Sequence, residues 1–138
     1  MALHIVTNNP MVYEAFQECW PVQYEEGQSY TALLISVRDQ IHRGAVLLTH
    51  PLSGSIKPGE TPYKSVLVDA ASGNMDLKSL ELIEETLRVA TRMVAQAGDR
   101  RWTEKILKDF QLIDCDLIRF ALDHASQSYS NAYTGGKL

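Results

Sequence analysis

Residues able to do chemistry crowd into one stretch of the sequence, THPLSGSIKPGETPYK, Thr49 to Lys64. Ser53, Gly54, Ser55 and Lys57 bring hydroxyls, uncrowded backbone N–H groups and a positive charge, the parts of an anion-binding nest. His50 follows the apolar run Ala45 to Leu48 and precedes Pro51. An imidazole at such a sheet edge can exchange protons near neutral pH, although more often it caps a backbone carbonyl. In an enzyme, His50 would be the acid or base, Glu60 or Lys64 would orient it, and Lys57 would stabilise developing negative charge. No Ser-His-Asp or Cys-His order accompanies it, so catalysis and simple binding both stay open. The Gly54-x4-Gly59 spacing does not make a P-loop, because Glu60-Thr61 stand where Lys and Ser or Thr are needed and a strand follows instead of a helix. A surface loop whose prolines and glycines only set turns is the other reading of the whole stretch.

The remaining polar residues carry less. Arg38 and His42 are four apart, with Asp39 beside them, which is the pattern of a solvated helix face. His4, His42, His50 and His124 lack ligand spacing and Asp114-Cys115-Asp116 adds none, so neither a metal nor a cofactor is expected. Cys19 and Cys115, without a CxxC and both expected on apolar helix faces, point to a reducing, cytoplasmic setting. With 17 acidic and 13 basic residues, a net charge of -4 and no basic block, broad binding to nucleic acid or to an anionic membrane is disfavoured. Apolar runs fall far short of the roughly 20 residues that cross a bilayer.

These side chains need a frame. A chain of 138 residues, 45% apolar and 22% charged, has the make-up of one folded domain with a shared core. Leu3 to Val6 reads as a strand ended by Thr7-Asn8-Asn9, with Pro10 opening a helix through Cys19. Residues 22–24 form a weak second strand. Ser29 caps a helix whose Leu33, Leu34, Val37 and Ile41 make an apolar stripe, stopped at Gly44. Ala45 to Leu48 is a third strand, read as buried on both faces, and Ser65 to Val68 a fourth. Asp76 caps a long helix with Leu80, Ile83, Leu87, Ala90 and Val94 at helical spacing, ending at Gly98. Two further helices are expected, Thr103 to Phe110 and about Leu112 to Ser128, with residues 130–138 as a frayed tail.

The alternation predicts a single α/β domain, a three-layer fold whose mostly parallel four-stranded sheet, in order 2-1-3-4, is flanked by helices, with a helical C-terminal third. Ligands in such sheets bind beyond the carboxyl ends of the strands, at the reversal of strand order. Thr7, Asn8 and Asn9 would there meet His50, Ser53, Gly54, Ser55 and Lys57.

The segments IVTNNP, VRDQIHRG, LLTHPLSGSIKPGETPYKS and LKSLELIEETL together resemble the GrdX-type proteins, over about residues 3 to 95. Those are small proteins encoded beside the glycine, sarcosine and betaine reductase components of amino-acid-fermenting anaerobic bacteria. The resemblance implies a cytoplasmic accessory protein of that system and transfers no catalytic residue. It leaves three expectations: a protein holding a small anionic metabolite or phosphate; an enzyme acting through His50; or an assembly factor docking on a glycine reductase subunit through residues 49–64. The wide apolar face of the last helix, including Ile113 and Phe120, adds the expectation of a homodimer.

Overall fold

A computed structural model describes residues 2–52, 56–70 and 73–135, with side chains of the last helix described as far as Ala125. Strand β1, Leu3–Thr7, runs into Asn9, which caps helix α1, Pro10–Phe16. The Asn9 Oδ1 accepts the Met11 N–H at 3.0 Å, and Pro10 has no N–H to leave unpaired in the first turn. Strand β2, Val22–Tyr24, leads to helix α2, Tyr30–His42, where the Ser29 hydroxyl accepts the Ala32 N–H at 3.1 Å. Strands β3, Val46–Leu47, and β4, Ser65–Asp69, precede helix α3, Leu77–Ala97, whose cap Asp76 accepts the Ser79 N–H.

Helix α4 runs unbroken from Glu104 to Gly135, in place of the two helices expected from the sequence. The Phe110-Gln111 junction holds neither Gly nor Pro, so nothing in the backbone stops it. Cys115 is buried, but Cys19 is exposed in the turn beyond α1 rather than on an apolar helix face.

The sheet departs from the expected topology. Its order is β2-β1-β4-β3, and it is mixed: β1 pairs parallel with β2, while β4 runs antiparallel to both β1 and β3. The sequence reading placed β3 next to β1, as a strand buried on both faces. That interior position belongs to β4, whose Val66, Leu67 and Val68 are at most 1% exposed, whereas β3 is a two-residue edge with Val46 half-buried. Pairing along five registered positions with β1 satisfies far more backbone than a two-residue strand can, so β4 takes the centre.

Side chains alternate across the sheet. Val6, Val66 and Val68 pack with Leu33, Leu34 and Ile41 of α2 and Ile83 and Ala90 of α3. Ile5 and Leu67 pack with Val12 of α1 and Cys115, Ile118 and Leu122 of α4. Residues 56–64 return from β3 as a strap: Pro58, Gly59 and Thr61 are buried, and a bridge joins Pro58 to Thr61. Gly59 has φ +86°, and a Cβ there would stand 2.9 Å from both the Met93 carbonyl oxygen and the Ala97 side chain of α3. Gly59→Ala is therefore expected to lower unfolding stability by roughly 2 kcal/mol, from left-handed backbone strain with the strap pushed off α3. Urea denaturation of the two proteins checks this, and equal midpoints would show that the strap yields freely.

Candidate functional site

Where β1 and β4 lie side by side, their ends carry Thr7 and Ser65, and α4 brings Asp114 over them. The Ser65 hydroxyl donates to Asp114 Oδ2 at 2.6 Å. With that proton committed, Thr7 Oγ1, 2.6 Å from Ser65 Oγ, is the donor of the pair. Thr7 Oγ1 in turn accepts the Asn9 N–H at 2.9 Å. Asn9 Nδ2 donates both to Asp114 Oδ2 at 3.0 Å and to the Gln111 carbonyl at 2.9 Å, which fastens α4 to the start of α1. Asp114 is 8% exposed, and burial pushes its carboxyl above the ordinary range against the pull of Ser65, Asn9 and Lys64. Lys64, 4% exposed, is lowered to about 8 by its own burial, with the Asp114 charge working the other way.

Asn8 performs a second joining task. Its Nδ2 donates to the Gln28 carbonyl at 3.0 Å and the Pro62 carbonyl at 2.8 Å, and its Oδ1 accepts the Lys64 N–H at 2.8 Å. One side chain thus ties β1 to the β2–α2 connection and to the strap. Asn8→Ala is expected to cost about 2 kcal/mol, since it removes three hydrogen bonds that join β1 to two neighbouring segments. A denaturation midpoint within error of the parent would show that water replaces these bonds.

The residues singled out by sequence divide accordingly. Thr7, Asn8 and Asn9 are buried and bonded within the fold. His50 is exposed and its Nδ1 accepts the Leu52 N–H at 3.2 Å; Lys57 is exposed as well. Ser53, Gly54 and Ser55 lie outside the described residues. Asp114 is not among the residues the sequence singles out, although it carries a signal: Gln111, Asp114, Ile118 and Leu122 follow one helical stripe, and a carboxylate in a largely apolar stripe is a buried carboxylate.

Beside this cluster, beyond the carboxyl ends of β1 and β2, opens a cleft of about 630 Å3. The end of β2 contributes Tyr24, the β2–α2 connection Glu26 and Ser29, the strap Gly59, Thr61 and Tyr63, and the α3–α4 junction Asp99, Arg100 and Trp102. Asn8 and Tyr30 also line it. Burial, and next the Asp114 charge, hold the Tyr30 phenol well above its ordinary range, and its buried hydroxyl has no hydrogen-bond partner among the described residues. An orphaned hydroxyl costs free energy in the folded state, so Tyr30→Phe is expected to raise stability by about 1 kcal/mol. A loss of stability in thermal or urea unfolding would mean that the hydroxyl is paired in solution.

Among the described residues no three His, Cys, Asp or Glu side chains group as metal ligands, and no helix is long and apolar enough to cross a membrane. No curated protein and no solved structure matches the chain at a significant level. A family model described as GrdX-like protein matches residues 4–123, which extends the likeness past residue 95 to include the α3–α4 junction and the Asp114 region of α4. The chain belongs to the GrdX-like protein family.

Proposed function

We propose that this chain is an accessory protein of the glycine reductase system that holds a small anionic metabolite in the cleft beyond β1 and β2. The family supports the metabolic setting. The cleft itself carries the binding reading: it is a concave site beyond the carboxyl ends of the two parallel strands, with Arg100 and the amino end of α2 at Ser29 among its walls. The site first expected, between Thr7–Asn9 and residues 53–57, thereby moves to the β2 side of Asn8. Exposed Arg100 would pair with the anion, and the α2 N–H groups favour negative charge.

A thermal-shift screen with phosphate, acetyl phosphate, acetate, glycine and a nucleoside monophosphate tests the reading. A ligand at a hundredfold its Kd adds about 2.7 kcal/mol of stability. The expected result is a shift with an anion that Arg100→Gln abolishes. No shift with any anion, in a folded sample, would overturn it.

A second reading concerns assembly. Ile106, Leu112, Ile113 and Phe120 of α4 are exposed, Phe120 at 64%, and a second copy of the chain seated on them would cover this face. Sedimentation at micromolar concentration decides it: a dimer weakened by Phe120→Glu supports the reading, and a monomer removes it.

A further inference from the structure

The size and walls of the cleft narrow the ligand, and this narrowing rests on the proposed binding of an anion there. We infer that the cleft takes an anion carrying a planar heteroaromatic ring, of the nucleoside monophosphate class, with the ring against Tyr24, Tyr63 and Trp102 and the phosphate toward Arg100. Size is the first argument. At about 30 Å3 for each water of the liquid, about 630 Å3 has room for roughly twenty waters, so a phosphate or glycine would leave most of the cleft wet. Volumes of this order suit ligands with a ring and a polar arm.

The aromatic walls are the second argument. Each of the three rings is held from outside the cleft by a residue that does not line it. Tyr24 stacks on Tyr13 with centroids 5.1 Å apart and planes 18° from parallel. The Tyr63 hydroxyl accepts a hydrogen bond from Gln111 Nε2 at 2.7 Å. Trp102 meets Phe110 edge to face at 6.0 Å. Rings fixed in this way lose little freedom when a base stacks on them, and stacking is tolerant of which base it is.

Charge is the third. Glu26 and Asp99 stand in the lining together with Arg100. For a plain anion the two carboxylates are a handicap. For a nucleotide they have a use, since carboxylates accept hydrogen bonds from exocyclic amino groups while the cation takes the phosphate. Adenine and cytosine, which carry such amino groups, are therefore preferred to uracil.

Isothermal titration calorimetry of the full chain with AMP, CMP, UMP, adenosine, inorganic phosphate and tetramethylammonium tests this. The expected result is that AMP or CMP binds at least tenfold more tightly than UMP, adenosine or phosphate. Tyr24→Leu and the exposed-site variant Arg100→Gln, each shown folded by circular dichroism, would each weaken it at least tenfold. Phosphate binding as tightly as AMP would overturn the ring inference and leave the anion reading standing. Tetramethylammonium binding without nucleotide binding would show the rings to be a cation cage and overturn it. No binding by any probe at millimolar concentration would overturn both readings.

Discussion

Asp114→Ala is expected to cost roughly 3–5 kcal/mol, the largest loss from any single substitution at the site. The Asp114 carboxylate accepts from Ser65 and Asn9 and is the nearby negative charge for buried Lys64. Truncation leaves the Ser65 and Asn9 donors facing a buried space and removes a negative charge from the neighbourhood of Lys64, and each of these is costly. The same change frees α4 from the ends of β1 and β4, so hydrogen exchange should accelerate in α1 and in residues 63–66 before it does so in α2. Asp114→Asn, which keeps the volume and one acceptor, is expected to lose about half as much. Equal losses in the two variants would show the charge, not the hydrogen bonds, to be decisive; a loss below about 1 kcal/mol in Asp114→Ala would remove the cluster from the stability argument.

The second large effect is a dependence on pH above neutrality, set by Lys64. Its folded value of about 8 lies below the ordinary 10.5, so the folded state sheds this proton first and the unfolded state holds it longer. Over that window the unfolded chain binds more protons, and unfolding stability rises with pH by about 1.4 kcal/mol per unit. The contribution is present in full above 10.5 and is lost as pH falls through 8. Measured against Lys64→Met, wild type should gain on the order of 3 kcal/mol across the window. Asp114 does not supply this gain: its carboxyl is raised, so its contribution is present at low pH and fades as pH rises through the folded value. Tyr24 and Tyr30 are raised from an ordinary 10.0, so their opposing effect begins only at the top of the window. A flat difference between wild type and Lys64→Met from pH 7.5 to 10 would show that Lys64 reaches solvent.

What the sequence determined by itself was local. Pro10 after Asn9, Ser29, Asp76 and the stripes Leu33-Leu34-Val37-Ile41 and Ile83-Leu87-Ala90 specify helix starts and buried faces within a few residues of chain, and α1, α2 and α3 follow them. The segments IVTNNP, VRDQIHRG, LLTHPLSGSIKPGETPYKS and LKSLELIEETL together pointed to the family by residue order alone. Strand order could not be read that way, because β3 and β4 have similar apolar character and the deciding quantity is how many backbone groups each can pair once all strands are present. Only tertiary structure brought Asp114 over Thr7 and Ser65, across 107 and 49 residues of sequence, and only there does a carboxylate in an apolar helix stripe acquire donors. The cleft has the same origin. Tyr24 at the end of β2, Tyr63 in the strap, and Arg100 and Trp102 in the α3–α4 junction share no periodicity, and they meet because Asn8 and Gly59 draw those parts of the chain together at the sheet edge.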